Sequence, residues 1–351
     1  MPDTDSQPRV LVAGETLVDL VAPDASLATA NSFTPRVGGA AANVAAALAT
    51  LGEPAALWTR VGTDDFGDRC RRALADHGVP DDHVEIDPER ETTIAFAARE
   101  DDADADLAFS FHRGADRSLG TDPGACDPAS DLDAFDVVVV GGIALAADPA
   151  RSAILALARE ADDRDCTVVF DPNARPAAWT ADAYPAVVEE LLGLADVVKA
   201  TPDDLAAAGF DVVDATPSSD ARPGPAAAPG LAEAVCERGP HTTFLTLGAA
   251  GAAAASTHRS PFGRGAASHY GHDVDAVDPT GAGDAFLAAV VAELAADATD
   301  PYAVLDVATA AGALATTERG AMPSLPDRDA VDDLAGNVAL DELATGDGGG
   351  R

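Results

Sequence analysis

Lysine is almost absent. Of the 22 basic residues in this 351-residue chain one is lysine, Lys199, and the other 21 are arginine. Acidic residues number 60, which leaves a net charge of −38. A field of that sign repels nucleic acid and anionic membranes, so neither is expected as a partner. It fits a surface kept soluble in concentrated salt, where screening shortens self-repulsion, and we read a halophilic signature. Aromatic residues make up only 5%. The four cysteines (Cys70, Cys126, Cys166, Cys236) are scattered, with no CxxC and no histidine at ligand spacing. Neither a disulfide framework nor a zinc site is expected from that pattern, and a reducing cytoplasm is its simple setting. The N-terminus is polar and apolar runs are short, so no leader and no membrane span is expected. There is no Gly-x-x-x-x-Gly-Lys-[Ser/Thr] string, which disfavours a P-loop kinase. Gly14-Glu15-Thr16, not Gly-x-Gly-x-x-Gly, follows the first strand, which disfavours a dinucleotide-dependent oxidoreductase.

What is there is a large reserve of apolar residues, 47% of the chain, mostly Ala, Val and Leu. Arg9 to Ala13, Ala55 to Val61, Val137 to Val140, Thr167 to Phe170, Asp196 to Lys199 and Thr242 to Leu247 read as strands. Helices are expected over Val44 to Leu51, Ala150 to Ala161, Ala183 to Leu194, Thr201 to Ala208, Leu231 to Arg238 and from Ala285 to Leu294. Continuous apolar strands alternating with helices imply a parallel sheet covered on both faces. Ligands then bind beyond the carboxyl ends of the strands, where Asp171, Lys199, Gly248 and Asp284 fall. Thr92 to Ala98 and Leu107 to Phe111 alternate and read as a hairpin that could close as a lid. Residues 213–230 read as a mobile surface insertion, and the tail from Ala344 as disordered.

The chain is organised around Asp278-Pro279-Thr280-Gly281-Ala282-Gly283-Asp284-Ala285-Phe286. A β-prone run, His272 to Val277, leads in. Phe286, Val290 and Leu294, four apart, mark the buried face of the helix that follows. Gly281, Ala282 and Gly283 therefore fall at a helix N-terminus, which favours an anion, with the Asp284 carboxylate beside it. A base next to a phosphate cradle suits phosphoryl transfer to a hydroxyl. A turn with a dipole-complementing Asp is the bland alternative. Upstream, Gly38-Gly39-Ala40-Ala41-Ala42-Asn43 runs into a helix, with glycines for close backbone approach and an amide on the first turn. Asp19, between apolar neighbours, reads as a solvated edge residue or a ligand group.

Together these two strings, with Gly52 and Gly62, resemble the two signatures of the ribokinase-like (PfkB) carbohydrate kinases, and the likeness runs from about Val10 to Ser324. The resemblance implies an α/β three-layer αβα sandwich with a mostly parallel central sheet. It implies one kinase domain over 1–330, a small β-sheet lid from about 15–37 and 90–116, and a C-terminal segment over 331–351. It further implies Mg2+-ATP phosphorylation of a sugar hydroxyl. Asp284 matches the general base and the 281–283 backbone the anion hole. Asp19, Gly38, Gly39 and Asn43 match the sugar contacts. Lys199, Thr246, Gly248, Gly251 and Gly283 fall on the nucleotide side. Asp278, Thr280, Ala315, Glu318, Gly320 and Ser324 match a monovalent-cation loop that suits potassium. Many relatives carry Asn-x-x-Glu where this chain has Thr201-Pro202-Asp203-Asp204, so Asp204 would serve the magnesium hydration shell less directly.

Several strings are similar to fructokinases: Gly14 to Asp19, Phe109 to Asp116, Gly142 to Leu145, and Asp171-Pro172-Asn173-Ala174-Arg175-Pro176. The rival is a 2-keto-3-deoxygluconate kinase, in which Arg113 and Arg175 would hold the acid's carboxylate. Asp19 would repel a carboxylate, which favours a neutral ketose, with fructose to fructose 6-phosphate as the expected reaction. Ketohexokinase (transfer to the 1-hydroxyl), ribokinase and nucleoside kinase activities remain open. The exposed edge of the lid hairpin makes a homodimer through the lid plausible.

Overall fold

The computed structural model describes residues 8–22, 26–99, 107–121, 128–180, 182–212 and 228–336. Taken in chain order, β1 (Val10–Ala13) is followed by β2 (Leu17–Ala22), β3 (Thr34–Gly38), α1 (Ala40–Thr50) and β4 (Ala55–Gly62). Then come α2 (Asp65–Asp76), β5 (Val84–Asp87), β6 (Ile94–Arg99), β7 (Leu107–His112), β8 (Val137–Gly141) and α3 (Ala150–Asp163). β9 (Thr167–Asp171), α4 (Ala183–Leu192), β10 (Val197–Ala200), α5 (Pro202–Ala207) and α6 (Ala228–Cys236) follow. The chain continues through β11 (Thr242–Thr246), β12 (Ala252–Ser256), β13 (Gly265–His269), α7 (Ala282–Ala295), α8 (Pro301–Leu314) and α9 (Arg328–Ala335).

Nine strands form the main sheet in the order β13-β12-β11-β10-β9-β8-β1-β4-β5. From β5 through to β11 neighbours run parallel, and β12 and β13 close one edge antiparallel. The four valines of β8 are all buried, as a strand covered on both faces requires. One face carries α3 to α6, with Ile154, Leu191 and Val235 at or near zero exposure. The other carries α1, α7, α8 and α9, packed through alanines and through Phe286, Leu287 and Val290. Burying each of those three larger side chains contributes about 1.5–3 kcal/mol. The result is the expected αβα sandwich.

A second, four-stranded sheet, β3-β2-β6-β7, stands apart. The expected hairpin is present as β6 and β7, paired from Ile94 with His112 to Arg99 with Leu107. Its connection at 100–106 lies outside the described residues, as do 213–227 of the proposed insertion and the tail from Ala344. Residues 228–230 belong instead to the first turn of α6.

The strand expected from His272 to Val277 is not formed. The main chain at Val277 and Asp278 bonds to the Thr316 carbonyl at 2.7 and 3.0 Å rather than to a ladder. Both antiparallel edge strands escaped the sequence reading. β12 is Ala-Ala-Ala-Ala-Ser, with no β-branched residue, and it is a strand because it lies buried between β11 and β13. α2 starts where Asp64 caps the N–H groups of Phe66 and Gly67.

Candidate active site

The chain enters α7 through Gly281, whose φ of 86° lies in the left-handed region. A Cβ there would also stand 2.7 Å from that of Ala321, so backbone and packing both demand glycine. Ala282 N–H turns back to the Pro279 carbonyl at 3.2 Å. Gly283 and Asp284 are left at the open helix mouth, where the positive end of the dipole favours an anion. Gly283 is tight against Lys199: an added Cβ would sit 3.0 Å from Nζ. Lys199 is buried and pairs with buried Asp171 at 3.2 Å. The single lysine of the chain thus lies under the helix mouth.

Asp284 and Asn43 meet across 241 residues of sequence: Asn43 Nδ2 donates to Asp284 Oδ2 at 2.8 Å. Asn43 is buried on α1, and its Oδ1 has no hydrogen-bond partner. That oxygen can accept from a ligand hydroxyl. Burial pushes the Asp284 carboxyl up to about 6, against the downward pull of Lys199 and of the Asn43 hydrogen bond. A carboxylate poised near neutrality is suited to taking a proton.

The start of α1 is held by backbone geometry. Gly39 has φ 102°, and a Cβ there would strike the Glu15 carbonyl at 2.5 Å. Glu15 is buried, and its carboxylate accepts from the N–H groups of Ala40 and Ala144, each at 3.1 Å. Burial raises it to about 7. It therefore fixes the helix that carries Asn43 against the turn after β8. Gly38 leaves room for Asp19: its missing Cβ would be within contact of Asp19 Oδ2. Burial lifts Asp19 to about 7; Arg175 and then Arg36 pull it down, and Asp284 pushes it up. Asp19, Asp284 and these two arginines therefore share one electrostatic pocket.

Glu15 and Arg36 were not singled out by the sequence reading. Arg36 faces Asp19 directly across the β2–β3 pair. Its Nη1 is buried with no hydrogen-bond partner and occupies the space that a side chain on Gly320 would take. A charged residue two positions before Gly38-Gly39, on a lid strand opposite an aspartate, was the available signal. The other nominated arginines differ. Arg113 is tied to buried Asp116 at 2.7 Å through Nε and 2.6 Å through Nη2. Arg175 is exposed at the end of the Asp171 loop and reaches the pocket through its charge.

Thr246 ends β11, and the chain turns through Gly248 (φ 58°) and Gly251 (φ 96°) into β12. A Cβ on Gly251 would overlap the His269 carbonyl, whereas Gly248 faces open space. Asp278 ties its own loop to the segment around Gly320. Its Oδ1 accepts from Thr280 N–H (3.1 Å) and hydroxyl (2.6 Å), and its Oδ2 from Gly320 N–H (3.0 Å). Ser324 donates to the Gly320 carbonyl at 2.7 Å, Ala315 is buried and Glu318 is exposed. Asp204 forms a capping box with Thr201 and also accepts from Ala174 N–H at 2.7 Å, so both its oxygens are engaged.

A half-buried carboxylate titrating near 6 at a helix N-terminus, across from an amide with an open acceptor, defines a phosphotransferase acting on a hydroxyl. The comparisons agree. Residues 7–328 match the pfkB family carbohydrate kinase, and the chain belongs to that family. It is 32% identical to the fructokinase of Salmonella typhimurium over 328 residues, 91% of this chain and 96% of that one. Its backbone superposes with a TM-score of 0.75 on a double-mutant fructokinase from Vibrio cholerae O395 in fructose-, ADP- and potassium-bound form. Identity there is 30%, covering 94% of this chain and 99% of the other. Aminoimidazole riboside kinase from Salmonella enterica, complexed with its riboside and an ATP analog, gives a TM-score of 0.73 at 29% identity, covering 93% and 99%.

Proposed function

We propose that this chain transfers the γ-phosphoryl group of ATP to fructose, at the 6-hydroxyl. The observation that carries this reading is the 2.8 Å contact between Asn43 and Asp284, with Asn43 Oδ1 left open to a hydroxyl. Asp284 takes the proton from the attacking hydroxyl as its oxygen bonds to the γ-phosphorus and the bond from that phosphorus to the bridging oxygen breaks, releasing ADP. The N–H groups at the mouth of α7, with Lys199 beneath them, take up charge developing on the phosphoryl oxygens. Asp19, Gly38, Gly39 and Asn43 hold sugar hydroxyls; Thr246, Gly248 and Gly251 border the nucleotide.

Magnesium would arrive on the triphosphate with its own waters. Asp204, with both oxygens engaged, would act on it only by fixing the first turn of α5. Potassium would sit in the loop of Asp278, Thr280, Ala315, Glu318, Gly320 and Ser324. The net charge of −38 supports a halophilic setting, the scattered cysteines a cytoplasmic one, and the free edges of the four-stranded sheet a homodimer through the lid. No helix among the described residues is long and apolar enough to cross a membrane.

The neutral ketose is favoured over a sugar acid because Arg113 is already neutralised by Asp116 and Asp19 faces the sugar. The riboside kinase likeness supplies a second reading, a nucleoside acceptor. Initial rates with ATP against fructose, 2-keto-3-deoxygluconate, ribose, glucose and a purine riboside test both. Fructose is expected to give kcat/KM at least about tenfold above each other acceptor, a difference worth ~1.4 kcal/mol. Preference for the riboside or the acid sinks the proposal.

The pH profile follows from the same pocket. The ionised form of Asp284 is the competent base, so kcat/KM for the sugar falls as pH drops through the region of Asp284 (about 6) and Asp19 (about 7). The two carboxylates interact, so one acid limb belonging to the pair is expected. A profile flat between about pH 5 and about pH 8 removes this assignment.

A further inference from the structure

Outside the kinase site, His269, His272 and Asp306 bring three ligand atoms within 4.8 Å of one another. His269 ends β13, His272 follows in the unladdered segment, and Asp306 lies on α8. Asp306 Oδ1 stands 3.2 Å from His269 Nε2 and 3.1 Å from His272 Nε2. Yet this oxygen, buried, receives a well-aligned hydrogen bond from neither ring. His272 Nε2 lies 3.2 Å from the Asp306 main-chain carbonyl as well. Both imidazoles are nearly closed to solvent, at 4% and 3% exposure, while the carboxylate keeps 21%.

We infer that this cluster is a binding site for a borderline-soft divalent transition ion of the zinc class. Four donors around such an ion at ordinary bond lengths lie about 3.3 Å apart, close to the two nitrogen–oxygen separations seen here. Two neutral imidazoles and one carboxylate suit zinc or cobalt, whereas magnesium and calcium prefer all-oxygen shells. The second ring nitrogen of His269 is also provided for. Its Nδ1 faces the Thr309 hydroxyl at 2.9 Å, and that hydroxyl can donate onward to the Leu305 carbonyl at 2.7 Å. Gly271 N–H approaches the same nitrogen at 3.1 Å. Gly271 N–H donates to Nδ1, so the neutral ring carries its proton on Nε2; turning the Nε2 lone pair toward an ion would shift that proton to Nδ1, where it would donate to the Thr309 hydroxyl in place of the Gly271 contact. The partly exposed side of Asp306 leaves the fourth position to water. Among the described residues none of the cysteines (Cys70, Cys166, Cys236) takes part, which is why cysteine spacing gave no sign of the site.

The bound ion would pin the segment that leads to Asp278 onto α8. The His269 carbonyl packs on Gly251, so the same pin borders the Gly248–Gly251 turn. The site does not depend on which sugar the enzyme uses.

The test uses the full-length chain, freed of metal with a chelator and kept in excess Mg2+. Cobalt is titrated by visible absorption, and zinc by calorimetry and thermal unfolding. One Co2+ per chain with the intense visible bands of a four-coordinate site is expected, displaced by Zn2+, with Tm rising on zinc addition. His272→Gln and Asp306→Asn are each expected to weaken zinc by more than about 100-fold, beyond what losing one supporting hydrogen bond around a metal costs. His272→Ala is a third variant, and circular dichroism before titration establishes which variants are folded. Absence of one-to-one binding in the wild type overturns the inference. So does binding unchanged in the folded variants, which would assign the ion to the acidic surface or the cysteines.

Discussion

Asp284→Asn lowers turnover by about 10²–10⁴-fold, the range that a positioned general base supplies. The amide has the shape of the carboxylate and can still accept the 2.8 Å hydrogen bond from Asn43, so the pocket keeps its form. What it loses is the capacity to take a proton. kcat and kcat/KM should therefore fall together, while KM for fructose and the dissociation constant for ATP stay within a few-fold, the pattern of an interaction made only in the transition state. Stability should not suffer. The folded-state value of Asp284, about 6, lies above its ordinary 3.8. The raised value therefore costs stability as pH rises from 3.8 to about 6, and the amide removes that cost. Steady-state kinetics, ATP binding by calorimetry and a melting curve on one preparation decide the matter. Turnover within about tenfold of wild type removes Asp284 from the role of base. A lowered Tm would instead mean that the variant had disturbed the pocket.

The residues that make this site were legible in unequal degree. Gly281, Gly283 and Asp284 announce themselves because a left-handed turn at a helix start needs glycine, and glycine pairs before alanine-rich helices are rare enough to notice. Gly38, Gly39 and Asn43 are visible for the same reason. The strands β1, β8, β9 and β10 could be read because a sheet buried on both faces needs unbroken runs of apolar residues, many of them valine. Other features depend on neighbours. Nothing local marks the alanines of β12 as a strand; the sheet makes them one. On its alternating strand alone Asp19 reads as a solvated edge residue or a ligand group, and the fold decides by setting it in a pocket with Arg36, Arg175 and Asp284. Glu15 follows a strand in an ordinary turn, and only the approach of Ala40 and Ala144 gives its carboxylate two donors. His269, His272 and Asp306 are close only because β13 lies against α8. Single-residue chemistry shows in sequence; convergence from distant segments does not.

Lys199→Met should damage both the fold and the reaction, by separable routes. Lys199 and Asp171 are a buried pair, each only a few per cent exposed. Removing the cation leaves Asp171 buried without its partner, a loss of about 3–5 kcal/mol in comparable cases. It also removes the leading influence that holds Asp284 down against burial. The acid limb of the rate profile should then move to higher pH, because the base titrates later. Removing both members of the pair, as in Lys199→Met with Asp171→Asn, distinguishes the two routes. A buried pair replaced together costs far less than one broken, so the double variant should recover most of the lost melting temperature. Turnover should not recover with it, because the positive charge below the α7 mouth is still gone and Asp284 has lost the largest influence that offsets its burial, keeping only the Asn43 hydrogen bond and Arg175. If activity returned along with stability, Lys199 would be a structural partner of Asp171 and nothing more. If neither returned, the pair would be tied to the fold through more than charge, and tight packing of Lys199 against Gly283, where an added Cβ would lie 3.0 Å from Nζ, is the contact to examine.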